Sequence, residues 1–273
     1  MQQLTSGQFF GDTTNTLQVD GMILTDTAYT HAFVDWHYHE NMYFTFLLQG
    51  RVIEGNKKET YHCTTGSLLF HNWQEPHYNI LPPGKTRGFH LELTPSFLQQ
   101  YFPNATLPAG SIKIESANQK LAFYKMFLEY QQQDAYSPIA ISNYLGTCLT
   151  QISEQSLQSK AVPSWVNKIK ELLYYDAAQP LTLTSLAQQL QIHPGHLSRD
   201  FAKYFHCNLG EYIRSVKLQK ALQLLVETNL NLSEIAAASG FADQSHFIRL
   251  FKRQLHMLPV KARKQLTNIN TAR

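Results

Sequence analysis

The chain has 273 residues, of which 43% are hydrophobic and 16% are charged. This length predicts two domains, and the apolar content is sufficient for two cores. No run of eighteen uncharged apolar residues occurs, and the first thirty residues lack a signal-peptide pattern, so we expect a cytoplasmic protein without a membrane partner. The three distant cysteines, Cys63, Cys148 and Cys207, argue against a disulfide framework and a Cys-x-x-Cys metal site.

The charge is unevenly distributed along the chain. Residues 1–162 contain 9 Lys+Arg and 13 Asp+Glu, whereas residues 163–273 contain 14 and 7. The net charge of +3 therefore combines −4 in the first part with +7 in the second. A basic C-terminal part predicts a polyanionic partner, although charge alone does not separate DNA from RNA or anionic lipid.

The first half of the chain is predicted to be β-structure, from about residue 17 to 94. Short aromatic and β-branched segments such as Met42–Leu48 and Ser67–Phe70 are separated by turn residues that include Gly50 and Gly66. Strands at this spacing indicate a barrel or a sandwich.

Helical periodicity follows from about residue 116 to 157, with residues at three- and four-residue intervals: Leu121, Lys125 and Leu128, and then Ile141, Leu145, Leu149 and Ile152. Residues 134–138 interrupt this pattern, which predicts an antiparallel helical hairpin. The hairpin either packs on the β-structure or forms a dimer interface, and we favour the interface. A polar segment at 155–163 is a predicted linker, beyond which the chain is almost wholly helical.

The C-terminal half contains an internal repeat of two short helices. In the first copy, Thr182 is a candidate N-cap and Ala187 lies where two helices cross. In the second copy, Asn231 and Glu234 form a predicted capping box, and Ala236 is the equivalent small residue. Each copy has a tight turn between its helices, as in a helix-turn-helix motif.

The second helix of each copy has an apolar face and a polar face. The residues predicted to face the core are Leu197, Phe201 and Phe205 in the first copy and Phe247, Phe251 and Leu255 in the second. The opposite face carries Gly195, Ser198, Arg199 and Ala202, and Ser245, Ile248, Arg249 and Lys252. An arginine there can bond both acceptors of a guanine in the major groove. The alternative is that Arg199 and Arg249 only pair with nearby acids such as Asp200 or Asp243.

Residues 165–264 strongly resemble the DNA-binding domain of the AraC/XylS family of transcription regulators. The resemblance rests on Leu186-Ala187, Leu197-Ser198-Arg199-x-Phe201, Tyr212 and the segment from Ile235 to Lys252. It implies two helix-turn-helix units joined by a long helix at about 210–227, with both recognition helices in successive major grooves of double-stranded DNA. The implied spacing is one helical turn, roughly 34–36 Å.

The resemblance also implies which residues touch DNA. The base-contacting positions of the family fall on Gly195, Ser198, Arg199, Gln244, Ser245, Ile248 and Arg249, while His196 and His246 flank them and are expected to touch phosphate. The chain departs from the family at His206 and His256, where a helix-ending glycine is usual. Gly195 has no side chain for a contact, so the second unit is expected to contribute more base specificity.

Histidines are the candidate site residues of the N-terminal half. His37 and His39 are two residues apart and share one face of a strand, and His77 on a neighbouring strand could close a divalent metal site. This arrangement resembles the cupin motif pair, but Tyr43 stands where that pattern has a glutamate, and Glu40 has the opposite strand parity. The alternatives are an organic-ligand pocket without metal that uses His37, His39, Tyr43 and His77, or a filled interior that also includes His71 and His90.

We therefore predict a two-domain α+β protein, with a cupin-like ligand-sensing β-barrel at 1–110, a hairpin and linker at 111–162, and an all-α domain with two helix-turn-helix motifs at 163–273. The expected protein is a non-enzymatic, ligand-responsive transcription regulator that acts as a homodimer. Its expected partners are DNA, a small-molecule effector and RNA polymerase. The rival hypotheses are a metal-dependent cupin enzyme fused to a DNA-binding domain, and an architectural DNA-binding protein with an inert barrel.

Overall fold

The structure is a computed structural model that describes residues 1–157, 163–175 and 182–267. The chain divides into two compact units. The first unit contains residues 1–115, 122–157 and the end of the chain from 264, and the second contains 116–121 and 158–263. Most of the predicted linker lies outside the described residues. The domain boundaries at 110 and 162 stay predictions.

The first unit contains a five-stranded and a six-stranded sheet. The order in the first sheet is β1 (Gln2–Leu4), β4 (Phe33–His39), β9 (His77–Ile80), β6 (Arg51–Asn56) and β7 (Thr60–Thr64). The order in the second sheet is β11 (Ser111–Ile114), β8 (Leu68–His71), β5 (Met42–Gln49), β10 (Arg87–Leu93), β3 (Met22–Ala28) and β2 (Asp12–Val19). Neighbouring strands are antiparallel, except for the parallel pair β1 and β4.

The inner strands β8, β5, β10 and β3 of the six-stranded sheet are largely buried on both faces, and successive side chains point to opposite faces. On β5, Tyr43 points between the sheets, where its hydroxyl contacts His77 of β9. Phe44 and Phe46 point the other way and pack on Phe123 of α2 (Ala117–Gln132), with ring centroids 5.1 and 5.8 Å apart. The space between the sheets therefore receives alternate residues of each strand.

The predicted helical hairpin is present as α2 and α3 (Ser137–Leu157). The two helices are separated at Asp134, whose side chain accepts hydrogen bonds from the backbone N–H groups of Tyr136 and Ser137 at 2.9 and 3.0 Å. Such a local side-chain bond competes with helix continuation and starts a new helix. The predicted apolar stripe of α3 is buried.

Three short elements of the first unit were not predicted, and one of them is β1, which pairs with β4 and precedes the predicted start of the β-structure at about residue 17. Helix α1 (Pro95–Tyr101) begins after Thr94, whose hydroxyl accepts a hydrogen bond from the N–H of Phe97 at 3.4 Å, and proline occupies its first turn. Strand β11 pairs with β8 and lies just beyond the predicted end of the β-barrel at residue 110. The last strand of the sheet therefore belongs to the segment that we assigned to the hairpin and linker.

The second unit is helical throughout its described part. Its helices are α4 (Ser164–Tyr175), α5 (Leu183–Leu190), α6 (Pro194–Phe205), α7 (Leu209–Glu227), α8 (Leu232–Ala238), α9 (Gln244–Leu255) and α10 (Pro259–Thr267), of which the last four residues fall in the first unit. Helix α7 is the predicted long connecting helix. It begins with a capping box between Asn208 and Glu211, and it buries the predicted stripe of Leu218, Ala221, Leu222 and Leu225.

Candidate nucleic-acid interface and histidine cavity

The first helix-turn-helix unit consists of α5 and α6. Thr182 caps α5, as predicted, and its hydroxyl accepts a hydrogen bond from the backbone N–H of Ser185 at 3.1 Å. The helix ends at Gln191, which has φ 56°, and the N–H of Ile192 donates to the carbonyl oxygen of Ala187 at 3.0 Å. This left-handed residue turns the chain towards α6.

The second unit consists of α8 and α9 and repeats this construction. The predicted capping box is confirmed, because the N–H of Glu234 donates to Asn231 Oδ1 at 3.0 Å and the N–H of Asn231 donates to Glu234 Oε2 at 2.8 Å. Gly240, with φ 76°, occupies the left-handed turn position. The N–H of Phe241 donates to the carbonyl oxygen of Ala236 at 2.9 Å.

The two copies differ by one residue, and the difference lies between the turn and the second helix. The N-cap of α6 is His193, two positions after the left-handed residue, whereas the N-cap of α9 is Asp243, three positions after it. From these caps onward the copies are in register. Arg199 and Arg249 both lie six positions after their N-cap, so the two helices present arginine at the same point of the helix surface.

The apolar faces of α6 and α9 are buried as predicted. Their six core residues are all at most 5% exposed: Leu197, Phe201, Phe205, Phe247, Phe251 and Leu255. Of the ten residues predicted to contact DNA, His246 and Ile248 are half-buried. The exposed ones are Gly195, His196, Ser198, Arg199, Gln244, Ser245, Arg249 and Lys252. The structure therefore places the predicted contact residues on the outer side of the second helix of each unit.

The acids near the two arginines have other partners. The carboxylate of Asp200 lies 3.3 Å from Nδ1 of His196, and the carboxylate of Asp243 accepts a hydrogen bond from the backbone N–H of His246 at 2.6 Å. Within the described part of the chain, no ion pair joins Arg199 or Arg249 to either acid. Both guanidinium groups are therefore available to an external acceptor.

The second candidate site is a cavity between the two sheets, here called the histidine cavity. Its lining residues are Phe9, Phe10, Tyr29, His37, His39, Tyr43, Thr45, Glu54, His77, Asn79 and His90. The three histidines predicted as metal ligands meet here. One nitrogen from each of His37, His39 and His77 lies within 4.8 Å of the others. Strand β4 supplies the first two, and His37 is the register partner of His77 on β9.

Hydrogen bonds determine which ring nitrogen carries the proton in His37 and in His77. Nδ1 of His37 lies 2.9 Å from the carbonyl oxygen of Asp35, and Nδ1 of His77 lies 3.0 Å from that of Glu75. A carbonyl oxygen only accepts, so each Nδ1 carries a proton and each Nε2 holds a lone pair. The hydroxyl of Tyr43 donates to Nε2 of His77 at 3.0 Å.

Two further groups at the cavity were not predicted. Glu54 on β6 is 3% exposed, and its Oε2 accepts a hydrogen bond from Asn79 Nδ2 at 3.1 Å. Strand parity indicates that Glu54 is buried, because it lies on the same strand face as Val52, but the residues that it meets depend on the pairing of β6 with β9. Phe9 lies in the N-terminal segment and stacks on His90 with ring centroids 3.7 Å apart. Its position follows no periodic pattern.

Burial sets the charge state of the cavity. It lowers the pKa of His77 and of His90 from 6.5 to about 3, and it lowers the pKa of His39 and His71 well below 6.5, assisted by the other imidazoles. Burial also raises the pKa of Glu54 to about 8. Neutral imidazoles accept hydrogen bonds and bind transition metals, so the histidine cavity can do either at neutral pH.

The free space in the histidine cavity is about 20 Å³. This volume admits one water molecule or one metal ion, since a water requires roughly 10–15 Å³ by this measure. Phe9 occupies part of the remaining interior and lies 4.7 Å, between ring centroids, from His39. An organic ligand of more than a few atoms must therefore displace side chains to enter.

Among the described helices, none combines the length and the apolar character that crossing a membrane requires.

Two family profiles match the chain. An AraC-like ligand binding domain matches residues 20–149, and a helix-turn-helix domain matches residues 186–265. The first profile covers most of the β-structure and the hairpin, and the second covers both helix-turn-helix units.

Curated relatives match one or both of these parts. The HTH-type transcriptional regulator YijO of Escherichia coli is 24% identical over 75% of this chain and 72% of its own length. "Probable transcription factor PqrA" of Proteus vulgaris is 32% identical over 33% of this chain and 75% of its own length. The HTH-type regulator YpdC of Escherichia coli is 42% identical over 30% of this chain, and the match spans only 29% of YpdC.

These similarities agree with the geometry of both parts of the chain. The helix-turn-helix profile begins at Leu186 on α5 and ends within α10, so it contains both exposed arginines. The ligand-binding profile contains His37, His39 and His77. The chain belongs to the AraC family of helix-turn-helix transcriptional regulators.

Proposed function

We propose that this chain is a ligand-responsive transcription regulator that reads a specific sequence of double-stranded DNA through α6 and α9. The observation that carries the proposal is the repeated arginine. Arg199 and Arg249 occupy the same position on two equivalent helices, both are exposed, and the nearby acids have other partners. The net charge of +7 on residues 163–273 supports binding to the polyanionic backbone.

We assign distinct roles to the exposed residues of the two helices. Arg199 and Arg249 each contact a guanine, while Gln244, Ser245 and Ser198 read neighbouring bases and Ile248 makes apolar contact. His196, His246 and Lys252 bind phosphate groups and hold the helices in place. Gly195 contributes no side chain, so the second unit carries more of the specificity.

The effector acts through the histidine cavity in this proposal. His37, His39, Tyr43 and His77 supply polar groups beside the aromatic rings of Phe9 and Phe10, and a few placed polar groups are what orients a small molecule in its site. Because the free volume is about 20 Å³, an organic effector larger than a few atoms binds only a conformation in which Phe9 has moved. Because the effector binds that conformation better, it shifts the protein towards it, and this shift can change DNA binding.

The hairpin of α2 and α3 is proposed to join two copies of the chain. The surface at the start of α3 is apolar: Tyr136 is 77% exposed and Ile139 is 64% exposed. A homodimer doubles the DNA contacts, and RNA polymerase is the further partner expected of a transcription regulator. The regulator acts in the cytoplasm.

The test is to sequence the genomic fragments that the purified full chain retains. We expect the retained fragments to share one sequence with two parts about 10–10.5 base pairs apart, because two linked recognition helices occupy successive major grooves. Fragments that share no sequence would instead support an architectural protein. Turnover of a small molecule by the metal-loaded chain, without selective DNA binding, would support the enzyme hypothesis.

A further inference from the structure

We propose that the protein binds one divalent transition-metal ion through Glu54 of β6, His71 of β8 and His77 of β9. This group differs from the three-histidine group because it includes a carboxylate and shares only His77 with it. One ligand atom from each residue lies within 4.8 Å of the other two. Ligands of a tetrahedral zinc ion lie roughly 3.3 Å apart, given bonds of about 2.0–2.1 Å, so small side-chain rotations complete the site.

Two of these ligands have buried polar atoms without a hydrogen-bond partner. Within the described part of the chain, Glu54 Oε1 and His71 Nε2 are fully enclosed and form no hydrogen bond. Glu54 is 3% exposed and His71 is 1% exposed, so bulk water does not reach either side chain. Buried polar atoms are nearly always partnered in native proteins, and an unpartnered pair at one place calls for a missing group.

Each of the three side chains is oriented by a hydrogen bond at its other polar atom. Nδ1 of His77 donates to the carbonyl oxygen of Glu75 at 3.0 Å, and Nδ1 of His71 lies 3.0 Å from Ser111 Oγ. Glu54 Oε2 accepts a hydrogen bond from the side chain of Asn79 at 3.1 Å. Metal-binding histidines and carboxylates are typically oriented by such outer hydrogen bonds. Glu54 Oε1 and His71 Nε2 are therefore free to bind the ion, and Nε2 of His77 becomes available when the Tyr43 hydroxyl moves away.

The chemistry and the size of the site suit a transition-metal ion. Two imidazoles and one carboxylate suit Zn²⁺, Co²⁺, Ni²⁺ or Fe²⁺ and leave at least one coordination position open. An ion bound here displaces the proton that burial favours on Glu54, and the resulting carboxylate partly neutralises the ion, which a set of three neutral imidazoles does not. The adjoining free volume of about 20 Å³ holds an ion or a water but no organic molecule. The ion takes the place of the Tyr43 hydroxyl, which now donates to Nε2 of His77.

The proposal is tested by calorimetric titration of the metal-free full chain with Zn²⁺. We expect one ion per chain at this site. Glu54→Gln should reduce the affinity for Zn²⁺ at least tenfold, because replacing even an outer partner of a metal ligand typically lowers metal affinity by about 10–100-fold. Glu40→Gln is the matched control. Glu40 Oε1 accepts hydrogen bonds from Ser6 outside the cavity, so this variant should bind Zn²⁺ as the wild type does.

A second measurement uses the wild-type chain and does not depend on the folding of a variant. X-ray absorption of the zinc-loaded protein should show two imidazole ligands and one carboxylate. Three imidazoles would place the ion on His37, His39 and His77 and overturn the proposal. Equal Zn²⁺ affinity in Glu54→Gln and the wild type would also overturn the proposal. The absence of a stoichiometric zinc site would overturn it as well, and would indicate that the missing group is water. None of these results depends on DNA binding.

Discussion

His256 ends helix α9 in the left-handed backbone conformation, with φ 55°, and His206 ends α6 in the same way, with φ 54°. The N–H of His256 donates the last helical hydrogen bond, to the carbonyl oxygen of Lys252 at 2.9 Å. For a residue with a Cβ atom the left-handed conformation costs about 1–2 kcal/mol relative to the right-handed region. The sequence departs from a helix-ending glycine at both positions, and the backbone nevertheless keeps the glycine-like conformation.

Replacing His256 by glycine should therefore stabilise the protein. We expect His256→Gly to raise the free energy of unfolding by roughly 0.5–1 kcal/mol, which is the released strain less the entropy that glycine adds to the unfolded chain. Urea denaturation measures this change. His256→Ala removes the same imidazole but keeps the Cβ atom, so it should give no such gain, and an equal gain in both variants would contradict the backbone explanation.

His90 should make the stability of the protein depend on pH. Burial lowers its pKa from 6.5 to about 3, so between these pH values the unfolded chain binds a proton that the folded chain does not. The free energy of unfolding therefore decreases as the pH falls from about 6.5 towards 3, by up to about 1.4 kcal/mol per pH unit for this group. His90→Gln should reduce this slope, as measured by urea denaturation of the metal-free chain at several pH values. His62 is exposed, and His62→Gln is the matched control; an identical slope in His90→Gln and the control would refute the assignment.

At the scale of elements, the capping box of α8 fixes where the second helix-turn-helix unit begins. Its two reciprocal hydrogen bonds satisfy backbone donors that the helix itself leaves free. Asn231→Ala should lower the free energy of unfolding by about 1 kcal/mol. Asn229→Ala changes the same residue type two positions earlier, at an exposed site, and should stay within about 0.5 kcal/mol of wild type. Equal effects in thermal or urea denaturation would show that the cap is not the cause.

The helices of the second unit could be predicted well because their signals are local. Thr182 and Asn231 mark helix starts through their own side chains, and the four-residue spacing of Phe247, Phe251 and Leu255 identifies a buried face. Strand β11 could not be predicted in this way. Its four residues are too few to show alternation, and they become a strand only by pairing with β8.

The histidine cavity could be predicted only in part. The spacing of His37 and His39 places both on one face of a strand, which is a local property. The contribution of Glu54 depends on β6 pairing with β9, and that of Phe9 depends on the path of an irregular segment. The spacing of residues along the chain predicts neither this strand pairing nor the path of this segment. The missing glutamate of the cupin-like pattern therefore could not be replaced by Glu54 before the sheet order was known.

At the scale of the whole molecule, the basic and the acidic part of the chain carry different sites. The basic part carries the repeated helices and the acidic part carries the histidine cavity. An effector that binds only the folded protein should stabilise it against heat, by about 2.7 kcal/mol at a concentration 100 times its dissociation constant. Such stabilisation by a small molecule would separate a sensing regulator from an architectural protein.

The most direct test of DNA reading compares Arg249→Ala with wild type on a selected genomic fragment and on random DNA. We predict a loss of about 1–3 kcal/mol on the selected fragment and nearly unchanged affinity for random DNA. Arg51→Ala removes an exposed arginine of β6 and is the matched control, with both affinities retained. An equal loss on both DNAs would contradict base recognition by Arg249.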